Sequence, residues 1–202
     1  MSEKYILKIL TLGSTSVGKT SIILRYTEDK FKTNKPTLGI DYKIKIIKRG
    51  GESIKVYLYD TASLERFQSI VKNYYRGSDG IFLIYDITNR KSFEQLDSWY
   101  KDLEDNLNNL DEVFICLIGN KNDLEDKRVV TKEEGKKYAD GKNIPFFEVS
   151  AKTSNGIINI FNEMLKGAMR KLYIDNNKRK ENFSLSFLDK PEDDAQKDKK
   201  CC

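Results

Sequence analysis

Gly13-Ser14-Thr15-Ser16-Val17-Gly18-Lys19-Thr20, followed by Ser21, sets two glycines, a lysine and a terminal hydroxyl in the spacing G-x-x-x-x-G-K-[ST]. That spacing suits a polyphosphate, a dense anion that successive backbone N–H groups can wrap. Gly13 and Gly18 supply backbone angles and a close approach that a side chain would block. Lys19 would reach the β- and γ-phosphates as a point charge, and Thr20 would offer its hydroxyl to Mg²⁺. A helix beginning directly behind the loop adds the positive end of its dipole.

A phosphate loop alone leaves the base open. Asn120-Lys121-Asn122-Asp123 follows an apolar run, at the end where doubly wound sheets bind ligands. The Asp123 carboxylate can accept two hydrogen bonds from guanine, from N1–H and the 2-amino group, a donor pair that adenine lacks. Discrimination by leaving buried polar groups unpaired can reach roughly 10⁴–10⁵-fold. At Ser150-Ala151-Lys152 a backbone N–H could meet the guanine carbonyl oxygen. Asp60, in Asp60-Thr61-Ala62, can hold Mg²⁺ through a water, and Thr37 can ligate it once a γ-phosphate is present. Two loops tethered through one phosphate make an order–disorder switch. Phe31 could stack on the base edge or pack on the core, and the sequence leaves both open.

The elements that must carry these residues follow from periodicity. Tyr5 to Leu12 reads as a buried strand before the loop, and Ser21 to Tyr26 as the first helix. Gly39 to Lys48 alternates as a half-exposed strand, turns at Arg49-Gly50-Gly51-Glu52, and returns through Ile54, Val56 and Leu58 to Asp60. Glu65 to Arg76 predicts a short helix and Gly80 to Ile87 a buried strand. Ser92 is expected to cap a helix running through Leu107. Glu112 to Gly119 and Pro145 to Val149 are two more strands. Between them Thr131 and Glu134 form a capping box. Gly156 to Tyr173 is a long amphipathic final helix. The result is an α/β domain: six strands, mostly parallel with one antiparallel, and helices on both faces.

Composition narrows the class. The chain has 202 residues, enough for one domain and a tail, and 39% of them are apolar. No run approaches the roughly 18 apolar residues of a membrane span. Met1-Ser2-Glu3-Lys4 opens directly into a strand without a signal-peptide core, so synthesis in the cytosol is expected. Histidine is absent, which removes the commonest general base and zinc ligand. Cys116 sits in an apolar run and is expected to pack as a small hydrophobe. Cys201 and Cys202 close the sequence, and the three cysteines fit neither a disulfide framework nor a thiolate metal site. A formal charge of +5 without a basic stripe does not argue for nucleic acid. From about Asp175 the pattern dissolves into seven basic and seven acidic side chains over 175–200. A mobile tail is expected there, in which Phe183, Leu185, Phe187 and Leu188 read either as solvated linker or as a weak partner-docking patch.

Taken together, Gly13 to Thr20, Thr37, Asp60-Thr61-Ala62, Asn120 to Asp123 and Ser150-Ala151-Lys152 resemble the five motifs of Ras-superfamily small GTPases. Leu38-Gly39-Ile40-Asp41-Tyr42, Glu65-Arg66-Phe67, Tyr74 to Ser78, Leu83 to Thr88 and the terminal Cys201-Cys202 are similar to the Rab branch. The resemblance covers roughly residues 4–174. It implies a phosphate-loop G domain over 1–174 and a hypervariable tail over 175–202, binding GTP or GDP with Mg²⁺. It also implies a switch for vesicle traffic, monomeric and without nucleic acid. The switch would cycle between cytosol and the cytoplasmic face of an intracellular membrane. The expected partners are an exchange factor, a GTPase-activating protein, a prenylation escort, a dissociation inhibitor and effectors. The positions matching the family's effector-facing aromatic triad are Tyr42, Tyr59 and Tyr74, with Tyr59 where a Trp is usual.

The departures bear on mechanism. Ser63-Leu64 replaces the family's Gly-Gln after Asp60-Thr61-Ala62. The Gln orients the attacking water, and Leu64 has neither donor nor acceptor. Ser63 keeps the N–H that would meet the γ-phosphate but restricts the backbone. Ser16 stands where most Rabs have Gly, and the segment from Phe31 to Thr37 is one residue short. The expectation is a GTP hydrolase slowed at Leu64 and poorly served by an activating protein; the alternative is a non-hydrolysing, GTP-bound membrane scaffold. Two lipid chains on Cys201 and Cys202 would give stable anchoring where one gives only marginal binding, at about 0.8 kcal/mol per buried CH₂. The charge-balanced tail would add little attraction to anionic lipid.

Overall fold

Leu7, Ile9, Leu10 and Leu12 are fully buried because the first strand lies third in a sheet of six, covered on both faces. The computed structural model describes residues 5–32, 37, 39–61, 68–177, 188, 190, 192 and 193. The strands are β1 (Tyr5–Leu12), β2 (Ile40–Arg49), β3 (Glu52–Thr61), β4 (Gly80–Asp86), β5 (Phe114–Asn120) and β6 (Phe146–Val149). Their order is β2-β3-β1-β4-β5-β6, and β2 alone runs antiparallel to its neighbour. The helices are α1 (Lys19–Glu28), α2 (Gln68–Tyr75), α3 (Arg90–Glu94), α4 (Leu96–Asn106), α5 (Lys132–Gly141) and α6 (Ile157–Asn177). The six-stranded, mostly parallel sheet with one antiparallel strand is the architecture expected.

Two apolar layers hold it together. On one face Ile22, Ile23 and Tyr26 of α1 and Ile160, Phe161, Met164 and Leu165 of α6 pack on Leu7, Ile9, Phe82 and Ile84. Tyr26 and Phe161 stack with ring centroids 3.7 Å apart. On the other face Val71, Tyr75, Leu96, Trp99, Leu103 and Ala139 cover Leu10, Leu12, Leu83 and Leu117. Burying a large apolar side chain contributes about 1.5–3 kcal/mol, so the strand ends that carry the polar motifs stand on a firm base.

Several sequence expectations shift. The residue capping the helix after β4 is Asn89, not Ser92: Asn89 Oδ1 accepts the Ser92 N–H at 3.3 Å, and helix begins at Arg90. Ser92 lies one turn inside, 1% exposed, where its Oγ donates to Asn89 O at 2.7 Å and accepts the Asp86 N–H at 3.0 Å. The segment is also two helices, α3 and α4, meeting at Gln95. In β2 the apolar row faces outward: Tyr42, Ile44 and Ile46 are 53%, 45% and 51% exposed. The inward row is Lys43, Lys45, Ile47 and Arg49. Long lysine stems reach α1 where a short apolar chain would leave a gap, and Lys45 lays its ammonium 3.8 Å from the Tyr26 ring centre. The last helix continues to Asn177. A solvated tail does not describe Leu188, which is 3% exposed and joins the α1–α6 core layer. Phe183, Leu185 and Phe187 lie outside the described residues.

Candidate functional site

The loop between β1 and α1 is shaped by what surrounds it. A Cβ on Gly13, at φ +141, would stand 2.1 Å from the Ile84 carbonyl oxygen; one on Gly18, at φ +101, 2.3 Å from Asn120 Nδ2. Both glycines are therefore required by contact as well as by backbone angle. Ser16 sits at φ +64, the left-handed region, without a glycine's freedom. Lys19 Nζ donates to Gly13 O at 2.9 Å and Ser14 O at 3.1 Å. The loop's own carbonyls thus aim the ammonium at the space that its N–H groups enclose. Burial pushes the Lys19 amine down to about 8, against the opposing pull of Asp60. A phosphate beside it would favour the charged form.

Three oxygen-bearing side chains from three separate segments meet in front of that loop. Thr20 Oγ1 donates to Asp60 Oδ2 at 2.6 Å, Thr37 Oγ1 donates to the same oxygen at 3.0 Å, and the two hydroxyls are 3.1 Å apart. Asp60 is 6% exposed at the end of β3, and its Oδ1 is buried with no partner among the described residues. Burial raises the Asp60 carboxyl pKa, opposed by the two threonine hydroxyls and by Lys19. A buried carboxylate with one oxygen unsatisfied and two hydroxyls alongside is a donor set for a hard divalent cation such as Mg²⁺. The residues present fit that ion.

The base-side loops are bound to each other and to the phosphate loop. Asn120, 1% exposed at the end of β5, donates Nδ2 to Val17 O at 2.8 Å and accepts the Ala151 N–H on Oδ1 at 3.2 Å. Of the three backbone N–H groups in Ser150-Ala151-Lys152, that of Ala151 is turned toward Asn120. Ser150 Oγ donates to Asp123 Oδ1 at 2.6 Å and accepts the Thr153 N–H at 3.0 Å, while Lys152 Nζ lies 3.8 Å from Asp123 Oδ2. Lys121, at φ +70, pairs with Asp86 Oδ2 at 2.6 Å. Phe31 is 46% exposed and stands off the core.

Other contributors were not legible beforehand. Arg25 donates from Nε to Ala151 O at 2.9 Å and from Nη2 to Lys152 O at 3.1 Å, tying α1 to the third loop. Ser14 Oγ donates to Gln95 Oε1 at 2.5 Å. On the outer face Tyr42, Tyr59 and Tyr74 form a continuous patch, with centroids 6.0 Å and 5.3 Å apart. Tyr57 joins it at 6.1 Å from Tyr42; the strand alternation carried that signal, since Tyr57 is two residues from Tyr59. Leu38, Ser63, Leu64, Cys201 and Cys202 lie outside the described residues.

The loops at the carboxyl ends of β1, β3, β5 and β6 bring the phosphate-loop motif, the Thr20–Thr37–Asp60 set, Asn120 and Asp123 to one end of the sheet, the layout of a phosphate-loop G domain. A sequence profile of the Ras family matches residues 8–170. Human Ras-related protein Rab-8B is 43% identical over 169 residues, covering 83% of this chain and 81% of the relative. Ras-related protein RabC of Dictyostelium discoideum is 41% identical over 169 residues, covering 82% and 85%. Ras-related protein Rab-8 of Diplobatis ommata is 40% identical over 200 residues, 96% of this chain and 93% of that one. The chain belongs to the Ras family, and within it to the Rab-type small GTPases.

Proposed function

We propose that this protein is a GTP-operated switch for vesicle traffic whose hydrolytic step is slow, so that its GTP-bound form persists. The observation carrying the switch is the convergence of Thr20, Thr37 and Asp60 around one unsatisfied carboxylate oxygen. Thr37 comes from the loop before β2 and Asp60 from the end of β3, so whatever binds between them couples the two segments. Lys19, aimed by Gly13 O and Ser14 O, neutralises the β- and γ-phosphates. The loop N–H groups hold those phosphates in line. Asp123 selects guanine through its carboxylate, held by Ser150. Mg²⁺, when bound, would supply charge neutralisation between the phosphate oxygens.

The slow step rests on side-chain chemistry. An attacking water needs a hydrogen-bonding side chain to orient it, and Leu64 offers none. A GTPase-activating protein that works through that position would gain little here. Control would then pass to the exchange factor, to a prenylation escort and dissociation inhibitor acting on Cys201 and Cys202, and to effectors on the Tyr42–Tyr59–Tyr74 patch. In this reading residues 1–174 form the G domain and 175–202 a tail bearing two lipid chains. A protein so anchored would work as a monomer on the cytoplasmic face of an intracellular membrane and exchange with the cytosol.

A second reading, a scaffold that holds GTP without hydrolysing it, is favoured by Leu64 itself. Extracting the nucleotide from purified protein and following single-turnover hydrolysis with Mg²⁺ separates the two. Slow but measurable turnover, rising at least ~10-fold in Leu64→Gln, supports the switch. No turnover in either protein supports the scaffold. Turnover at the rate of an ordinary Rab in the unaltered chain overturns the slow-step proposal.

A further inference from the structure

Arg49 ends β2 on the inward row, at the end of the sheet away from the phosphate loop, and is 5% exposed. A guanidinium so buried needs acceptors, and its own strand supplies few. Nη1 donates to the Leu188 carbonyl at 3.0 Å; Nη2 donates to Asn162 Oδ1 at 2.5 Å and to Glu192 Oε1 at 3.4 Å. Two of these three acceptors come from beyond α6. The adjoining turn makes the same demand. Gly50 and Gly51, both at positive φ, point their N–H groups out of the hairpin. Asp193 takes them on Oδ1 at 3.1 Å and Oδ2 at 3.3 Å, and its own N–H donates to Lys48 O at 2.7 Å. The Leu188 side chain packs into the apolar layer beneath α6, and Leu188 and Glu192 line, with Arg49 and the Ile158, Asn162 and Lys166 face of α6, a cleft of about 600 Å³.

We propose that the β2–β3 hairpin end and α6 form a binding site for the chain's own residues Leu188, Glu192 and Asp193. Together they form a latch: Leu188 is the apolar anchor, Glu192 and Asp193 the acidic ones. The recognition elements are complementary in kind, an apolar side chain for the α1–α6 core layer and carboxylates for a guanidinium and two turn amides. The latch determines where the C-terminal chain leaves the domain. From Asp193 to Cys201 only eight residues follow, a span of at most roughly 30 Å; with the latch open the 24 residues after Asn177 could extend roughly 80 Å. Closed, it pays the chain out from the side opposite the phosphate loop. On a membrane this would turn the hairpin end toward the lipid and the nucleotide site away from it, a consequence that rests on the lipid-anchor reading above. The latch itself does not depend on that reading.

The test uses the full-length chain loaded with GDP, the variants Leu188→Asp and Asp193→Ala, and nucleotide binding as the check that each folds. Amide exchange at Gly50 and Gly51 is expected to be at least ~10-fold slower in the unaltered chain than in Leu188→Asp, which touches neither amide directly. Equal exchange in the two would overturn the latch. For orientation, the chain is coupled through Cys201 and Cys202 to maleimide headgroups on nanodiscs; Cys116 is buried and does not compete. With gadolinium headgroups added, Gly50 and Gly51 are expected to relax faster than Ser14 and Thr15, and Leu188→Asp and Asp193→Ala to erase the difference. The same relaxation pattern in all three proteins would overturn the orientation. Because the lipid is attached chemically, cysteines found unmodified in cells would defeat the anchor reading and leave the latch standing.

Discussion

Asn120 Nδ2 donates to Val17 O at 2.8 Å, joining the end of β5 to the phosphate loop across 103 residues of sequence. The same side chain accepts the Ala151 N–H, so one buried amide fixes three ligand loops at once. Its purpose is preorganisation: loops already held in place lose less freedom when nucleotide binds.

Asn120→Ala would leave the Val17 carbonyl and the Ala151 N–H buried without partners. Each such orphan costs about 1–3 kcal/mol. The nucleotide-free form should lose stability directly, and nucleotide dissociation should accelerate by roughly 10–100-fold as the three loops lose their mutual ties. Release of a fluorescent GDP analogue checks this. A dissociation rate within twofold of the unaltered protein would show that the three loops are held by other contacts.

Ser16→Gly should move the protein the other way. At φ +64 a non-glycine residue carries a strain of about 1–2 kcal/mol. Glycine removes it but gains freedom in the unfolded chain, leaving a net stabilisation of about 0.5–1 kcal/mol. A rise of a few degrees in Tm and slower GDP release are the expected results. If Tm falls, the serine is held by a compensating contact.

Asp123 is held on one oxygen by Ser150 and approached on the other by Lys152, so its carboxylate is oriented before any base arrives. Asp123→Ala should weaken GTP binding by at least ~100-fold while leaving ATP binding little changed, because only guanine offers the two donors. Calorimetry with both nucleotides reads the ratio. Preference for GTP surviving intact would move base selection to another group.

The motifs and the mostly parallel sheet with one antiparallel strand were legible because glycine, lysine and carboxylate spacings reflect chemistry that local sequence must satisfy. The alternation of strands and helices left few topologies. What escaped depended on contacts distant in sequence. Both Asn89 and Ser92 are good caps, and only the buried demand of the Asp86 N–H draws Ser92 inward. The outward apolar row of β2 could not be read from its alternation, since Lys45 on the other row spans to α1 with its stem and sets its ammonium over the Tyr26 ring and against the Tyr26 carbonyl. Arg25 gave no local sign that it would clasp the carbonyls of Ala151 and Lys152. Leu188, in a charged and low-hydropathy segment, matched the composition of a solvated tail; its side chain is buried in the α1–α6 layer while Arg49 holds its carbonyl.

The capping box expected at Thr131 is present and leads to a pH prediction. Glu134 Oε2 accepts the Thr131 N–H at 2.8 Å, Thr131 Oγ1 accepts the Glu134 N–H at 3.2 Å, and Arg90 grips both carboxylate oxygens at 2.7 and 3.0 Å. Those contacts, the Arg90 hydrogen bonds first, lower the Glu134 carboxyl to about 2 from its ordinary 4.5. A folded-state value below the unfolded one means that the unfolded chain binds the proton more readily, so stability falls as pH falls. The contribution is whole above pH 4.5 and disappears as pH drops toward 2. In Glu134→Gln the carboxylate is gone at every pH. Its Tm should therefore lie below that of the unaltered protein at pH 7, and the gap should narrow as pH is lowered from 4.5. A gap that stays constant over that range would show that the α3–α5 clasp depends on packing rather than on the Glu134 charge.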